Sequence, residues 1–419
     1  MRAELVLRGA RVATCAGPVT GTPAERLGTI TRGAVAIADG RIAWVGPDDE
    51  ADALARDAAR TIDAQGCVLL PGLVDPHTHL AFAGSRVDDL ARKLAGESYA
   101  AIAATGGGIA STVRATRAAD DETLFTLAKA RALAMRACGT TSVEVKSGYG
   151  LDVATELRLL AVGRRLAHEG VVHTTTTLLG AHAVPPEFRD DRASYLREVR
   201  EAMIPAAASA GLADAVDVYC DESAFSLDES RGVFAAARGA GLAVRAHVGQ
   251  FRDLGGAQLC AEFSALSADH LEEVSDEGLR ALARAGTTAV LLPGAWRTLR
   301  QQAPDARRMR ALGVRIAVGT DCNPGTSPTT DLGLAAALAA RDAGLSLEEA
   351  VLAVTVEAAR AAGLRDAGRI AVGARADLAL FPGDDPRIVA YTLGGLRAAL
   401  VVLGGRVVVE NSAADARLW

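Results

Sequence analysis

The chain has 419 residues, 50% hydrophobic and 23% charged, enough for one large α/β domain with an appendage and unlike a disordered segment. A formal net charge of -6 excludes the broad basic face of a phosphate-backbone binder, so nucleic acid is not an expected partner. The six cysteines stand singly without a C-x-x-C pair, and no stretch reaches the ~18 uncharged apolar residues of a membrane span, so the expectation is a reduced, cytoplasmic protein with no membrane partner.

In chain order, Arg2, Glu4, Arg8 and Arg11 interrupt the first apolar residues, which argues against a signal-peptide core. Short β-type runs follow at Leu5–Leu7, Ala34–Ile37 and Ile42–Val45, the last two joined by Asp39-Gly40, a hairpin signal. From Gly66 to Gly363 one theme recurs: an apolar run ends in polar residues and is followed by an Ala/Leu/Arg-rich helical stretch. The eight runs are Val68–His79, Thr141–Ser147, Val172–His182, Ala215–Glu222, Leu242–His247, Phe263–His270, Thr287–Pro293 and Val314–Asp321. Strands that are almost continuously apolar and alternate with helices predict a (β/α)8 barrel of the TIM type over residues 66–363, with its chemistry at the C-terminal strand ends. An open doubly wound sheet is the rival, weakened because no G-x-G-x-x-G follows an early strand. The β style returns at Ala376–Phe381, Ala399–Leu403 and Val407–Val409, so residues 1–65 and 364–419 are expected to meet in one small β-sandwich.

Of seven histidines, five (His77, His79, His182, His247 and His270) stand at the carboxyl end of a predicted strand, while His168 lies in a helical stretch and His173 at a strand start. In Asp75-Pro76-His77-Thr78-His79 the two imidazoles sit at i and i+2 and project to one side of an extended chain, so both can reach one ion. His247 follows on the fifth strand, His270 on the sixth and Asp321 on the eighth. Three imidazoles and a carboxylate suit Zn²⁺ or Fe²⁺ and leave a position for water. The plainer alternative for Asp321 is a cap on the following helix, a reading the neighbouring histidines weaken.

This pattern is similar to that of the amidohydrolases, which carry H-x-H on strand one, histidines on strands five and six and aspartate on strand eight. Many of them hold a second metal through a carboxylated strand-four lysine. Here strand four ends Val218-Tyr219-Cys220-Asp221-Glu222, and Lys146 ends strand two, so the resemblance implies a single metal ion, Zn²⁺ or Fe²⁺/Fe³⁺.

Over essentially the whole chain the sequence resembles the imidazolonepropionase family. The motifs are Gly72-Leu73-Val74-Asp75-Pro76-His77-Thr78-His79, Gly106-Gly107-Gly108-Ile109, Val145-Lys146-Ser147-Gly148-Tyr149-Gly150, Leu178-Leu179-Gly180-Ala181-His182, Asp269-His270-Leu271-Glu272 and Thr320-Asp321-Cys322-Asn323-Pro324-Gly325. The resemblance implies a homodimer that opens the cyclic amide of 4-imidazolone-5-propanoate to N-formimidoyl-L-glutamate in histidine degradation, using a metal-activated water. It assigns His77, His79, His247 and Asp321 to the metal, Arg86 to the propionate tail, and Tyr149 and His182 to the ring. Asp321 and His270 would receive or orient the water proton, and His182 would direct a donor at the oxyanion. Asn323, Gly325 and Thr326 are expected to present amide, N–H and hydroxyl groups to a carboxylate at the start of a helix. Without the resemblance, Arg86 reads as a surface arginine, Tyr149 as a cover over the barrel mouth, and Pro324-Gly325-Thr326 as a turn. One departure stands out: where some members have glutamate three residues after the strand-five histidine, this chain has Gln250, which can orient a water but not take its proton. A ring deaminase with the same metal set, and a scaffold relative that has lost its ligands, are the alternatives. All four ligands being present argues against the second.

Overall fold

The computed structural model describes residues 2–97, 101, 105–222 and 224–411, so residues 412–419 of the C-terminal β segment lie outside the described residues. Five strands come first: β1 (Leu5–Ala13), β2 (Thr29–Ala38), β3 (Arg41–Pro47), β4 (Arg60–Asp63) and β5 (Cys67–Pro71). The β2–β3 hairpin turns at Asp39-Gly40, both at positive φ (50° and 69°), as a two-residue turn matched to strand twist demands. Along one edge β1 pairs with β2; along the other, Leu5–Arg8 pair with β4 and Arg11–Val12 with β5. The change of partner falls at Gly9, whose φ of 78° accompanies a slip in the β1–β2 register, a glycine bulge that bends the sheet.

The barrel strands follow: β6 (Leu73–Asp75), β7 (Thr140–Lys146), β8 (His173–Ala181), β9 (Ala215–Cys220), β10 (Ala243–Val248), β11 (Ser267–His270), β12 (Thr288–Leu291) and β13 (Arg315–Val318). They pair in sequence order and in parallel. The ring closes beyond the strand ends, where Asp321 N donates to His77 O at 3.0 Å and His79 N to Cys322 O at 3.1 Å. Asp75 ties the same seam, accepting from the Thr320 hydroxyl at 2.6 Å and the Thr320 N–H at 3.1 Å. The two strand ends that carry His77, His79 and Asp321 are therefore joined by hydrogen bonds directly beneath the site. Helices Asp121–Ala137 and Val153–His168 pack outside β7 and β8, each started by an aspartate whose side chain accepts a first-turn N–H.

After the barrel, β14 (Leu378–Pro382), β15 (Leu400–Leu403) and β16 (Arg406–Glu410) add antiparallel strands to β5, giving one eight-stranded mixed sheet built from both ends of the chain. Its core includes Leu7, Ile37, Leu69, Leu378 and Val402. Among the described residues no helix is long and apolar enough to cross a membrane.

The first predicted barrel run is in fact two strands. Cys67–Pro71 belongs to the mixed sheet and only Leu73–Asp75 to the barrel. Gly72 makes the transfer, pressed so closely on the neighbouring strand that a Cβ there would lie 2.2 Å from Thr141 Oγ1. An apolar run buried in either sheet carries no alternation to mark where its partners change.

Candidate metal centre

His77 and His79 lie just past β6 in an extended segment held on both sides. Thr78 between them donates its hydroxyl to Glu144 O at 2.7 Å and accepts from Lys146 N at 2.9 Å, while His77 O takes the Asp321 N–H. The alternation then sends both imidazoles into the barrel mouth. There they meet His247, from the end of β10, and the ring nitrogens of the three lie within 4.8 Å of one another. The Nε2 atoms of His79 and His247 are 3.3 Å apart, and Asp321 Oδ1 is 3.5 Å from Nε2 of both His77 and His79. Asp321 takes a φ of 52° and His270 a φ of 79°, strained conformations for residues with a Cβ that persist where the surroundings enforce them.

The donors fit a metal ion. His77 Nε2 and Asp321 Oδ1 are buried without a hydrogen-bond partner, and like ends of two imidazoles face each other. Behind the rings, His77 Nδ1 lies 2.6 Å from Asp269 Oδ2 and His247 Nδ1 lies 3.0 Å from Asp217 Oδ1. A carboxylate that takes the Nδ1–H turns the Nε2 lone pair inward, the arrangement that orients metal-binding histidines. Against the upward push of burial, His247 and Lys146 hold Asp217 well below the usual carboxylate range. Burial drives His77 and His79 well below the ordinary histidine range, with Lys146 adding to the effect on the first and His182 on the second. It also brings His247 down to about 4 against the pull of Asp217. Neutral imidazole is the form that binds a metal. Burial raises Asp321 to about 7, opposed by His270; an adjacent cation would restore the carboxylate.

Above this cluster a cavity of about 350 Å³ is lined by the other predicted site residues His182, His270, Gln250, Arg86, Tyr149, Asn323 and Thr326. Arg86 is held by Asp89, its Nε 3.0 Å from Oδ2, and its guanidinium lies against Gly325, where a Cβ would be 2.2 Å from Nη1. Gly325 thus makes room for the arginine. Tyr149 is buried on the loop after β7, its ring 5.5 Å from that of His182. Glu156 shapes this loop by accepting the N–H groups of Gly148, Gly150 and Leu151 at 2.9, 2.8 and 2.8 Å. Gln250 accepts the Tyr219 hydroxyl at 2.7 Å through Oε1, which leaves its NH2 as the donor.

Two expectations change. His182 Nδ1 lies 2.9 Å from Gly148 O, and a carbonyl only accepts, so the donor nitrogen is already engaged; burial lowers the ring to about 4, leaving a neutral Nε2 acceptor for the cavity. It does not direct a donor at an oxyanion. The Gly325 and Thr326 N–H groups both donate to Asn323 Oδ1 at 2.8 Å, and the next helix begins only at Leu332, so this segment is a closed turn and not a helix start. The Thr326 hydroxyl lies 3.4 Å from Asp321 Oδ2 and steadies that carboxylate.

Sequence reasoning did not assign Asp217, Asp269 or Glu156. For Asp217 the signal was present: an acidic residue within an otherwise apolar barrel strand, as in Ala215-Val216-Asp217-Val218, must find an internal partner, whereas Glu156 lies in the first turn of the helix Val153–His168, where an acidic residue is ordinary. Asp269 and Glu272 were noted only as the ends of one motif; Glu272 Oε1 is 3.5 Å from His270 Nδ1, both buried.

Residues 68–408 match the amidohydrolase family. The chain is 53% identical over 386 residues to an imidazolonepropionase of Acidiphilium cryptum, covering 92% of this chain and 94% of the relative. It is 47% identical over 396 residues to an imidazolonepropionase of Caulobacter vibrioides, covering 94% and 97%. Among solved structures it resembles a mutant of atrazine chlorohydrolase TrzN of Arthrobacter aurescens, complexed with zinc and atraton, at a TM-score of 0.69 and 20% identity over 97% of this chain and 95% of that one, a likeness of fold.

Proposed function

The chain belongs to the amidohydrolase family, in its imidazolonepropionase branch, and on that premise we propose how its residues open the cyclic amide of 4-imidazolone-5-propanoate to N-formimidoyl-L-glutamate. The observation that carries the reading is the convergence of three imidazoles and Asp321 at the floor of a cavity that also holds Arg86. His77, His79, His247 and Asp321 would hold one divalent ion, zinc or iron. When bound, such an ion supplies positive charge that acidifies water and polarises the ring carbonyl.

The remaining roles belong to the chain. Arg86, pinned by Asp89, offers its outer guanidinium nitrogens to the propionate. His182 accepts a ring N–H through Nε2, and Tyr149 closes over the ring beside it. As water adds to the carbonyl carbon, Asp321 takes the proton it releases; its other oxygen is steadied by Thr326. Burial disfavours the cation at His270, yet Glu272 and Asp321 raise it above the ordinary histidine range, which suits it to donate. It gives its own proton to the ring nitrogen as the C–N bond breaks, and the proton held by Asp321 then recharges it. Gln250 cannot accept a proton and serves by orienting with its NH2. Six buried cysteines, all free, accord with a reducing compartment, and we place the protein in the cytoplasm.

The test is metal analysis of the purified protein combined with turnover, followed by the ultraviolet loss of the imidazolone. Activity should vanish on chelation and return with zinc or ferrous iron. Full activity of metal-free protein would overturn the reading, and release of ammonia in place of formimidoylglutamate would identify a ring deaminase.

A further inference from the structure

Lys146, the last residue of β7, is wholly buried among three carboxylates that are themselves wholly buried. Its Nζ lies 2.6 Å from Asp217 Oδ2, 3.1 Å from Glu144 Oε1 and 3.7 Å from Asp269 Oδ2. Each of these carboxylates also reaches the segment or ring behind a candidate ligand. Asp217 turns its second oxygen to His247 Nδ1 at 3.0 Å, and Asp269 meets His77 Nδ1 at 2.6 Å. Glu144 Oε2 takes the N–H of Thr78, between His77 and His79, at 3.3 Å. One ammonium therefore joins three strands, β7, β9 and β11, at the level just below the imidazoles.

We propose that Lys146 is a positioning residue for the metal cradle: through Asp217 and Asp269 it holds His247 and His77 with Nδ1–H turned outward and the Nε2 lone pairs turned to the ion. An ammonium has three donors and no acceptor, so Asp217 Oδ2 and Glu144 Oε1 face it as acceptors, while Asp269 Oδ2 at 3.7 Å is drawn by its charge. Asp217 is thereby oriented edge-on, with Oδ2 on the lysine and Oδ1 on the histidine. Without the ammonium, Arg245, 3.7 Å from Glu144 Oε1, is the buried cation that remains beside these carboxylates, and Asp217 Oδ2 loses the donor that sets which oxygen faces His247. This inference rests on the reading of His77, His79, His247 and Asp321 as a metal site.

Lys146→Met keeps the apolar stem and removes the charge. In that variant, compared with wild type, zinc affinity is measured by chelator competition, and the ring-nitrogen protonation of His77 and His247 by long-range proton–nitrogen correlation of the metal-free protein. The expected result is a folded variant that binds zinc about ten- to a hundredfold more weakly, the usual effect of losing an outer-shell partner, with altered tautomers. A folded Lys146→Met with unchanged tautomers and zinc affinity within about twofold of wild type overturns the proposal. If that variant does not fold, Lys146→Gln is measured in the same two ways: weaker zinc binding with altered tautomers supports the proposal, and wild-type values of both overturn it. A wild-type protein that binds no zinc or iron would instead sink the metal reading itself.

Discussion

His247 Nδ1 lies 3.0 Å from Asp217 Oδ1, with both side chains buried, so the strand-four carboxylate orients the strand-five imidazole from behind. Asp217→Asn tests this with almost no change of shape. Lys146, 2.6 Å from the other oxygen, demands an acceptor and so takes the amide oxygen. The NH2 is left facing His247 Nδ1, which drives the ring proton to Nε2 and blocks the lone pair. Metal affinity is expected to fall by about ten- to a hundredfold, read as zinc retained during dialysis against a graded chelator. Undiminished retention would refute the orientation argument.

Arg86→Ala is expected to act on binding. The guanidinium lies against Gly325 at the cavity wall, apart from the imidazole cluster. Loss of a hydrogen bond to a charged group, about 1.5–3 kcal/mol, should raise KM about ten- to a hundredfold, with kcat much less affected. Steady-state kinetics on the imidazolone decide; a loss confined to kcat would remove Arg86 from the tail site.

Glu156 links fold to site without touching substrate. It gathers the N–H groups of Gly148, Gly150 and Leu151, and the Gly148 carbonyl in turn accepts from His182. Leu151 is held at a φ of 57°, which this loop must sustain. In Glu156→Gln an NH2 group faces those donors. The expectation is a loss of ~1–3 kcal/mol in unfolding free energy from unsatisfied buried donors, together with a raised KM as Tyr149 and His182 lose their setting. Chemical denaturation with parallel kinetics checks both, and a variant as stable and active as wild type would refute the link.

Asp377 joins the mixed sheet to the barrel. It accepts from Gly404 N at 2.8 Å, pairs with Arg375 and lies 3.2 Å from His173 Nε2 at the start of β8. Burial alone would raise its carboxyl, but His173 and Arg375 hold it below the usual carboxylate range. A folded-state value depressed below the unfolded one, ~3.9, stabilises the fold above that pH. The contribution disappears as pH falls below ~4 through the lower folded value. Asp377→Asn should therefore lower Tm at pH 7 and shrink the drop in Tm seen in wild type below pH 4. Equal acid limbs in the two proteins would contradict the assignment.

Much of this molecule was legible in the chain because burial leaves a local mark. Eight apolar runs that alternate with helical stretches specify a parallel barrel, and a histidine that ends such a run has nowhere to point but the barrel mouth. Hence His77, His79, His247, His270 and Asp321 stood together as candidates before any coordinates, and the family resemblance picked His77, His79, His247 and Asp321 from them as ligands. Gly72 shows where legibility stops: the run it interrupts is apolar on both sides, and only the partner strands distinguish mixed sheet from barrel.

What tertiary structure alone decided is direction: which atom of a polar side chain gives and which receives. His182 was recognised as a residue of the ring site, but its donor is taken by Gly148 from another loop, and only that contact reveals the inward-facing acceptor. Asn323 was recognised beside Asp321, but its oxygen closes a turn on Gly325 and Thr326. Lys146 stands 71 residues from Asp217 in the chain and 2.6 Å from it in space. Periodicity records which face a residue occupies, since that depends on its own neighbours along the strand. A hydrogen bond or ion pair depends on the distance and angle between strands that meet only once the barrel has closed.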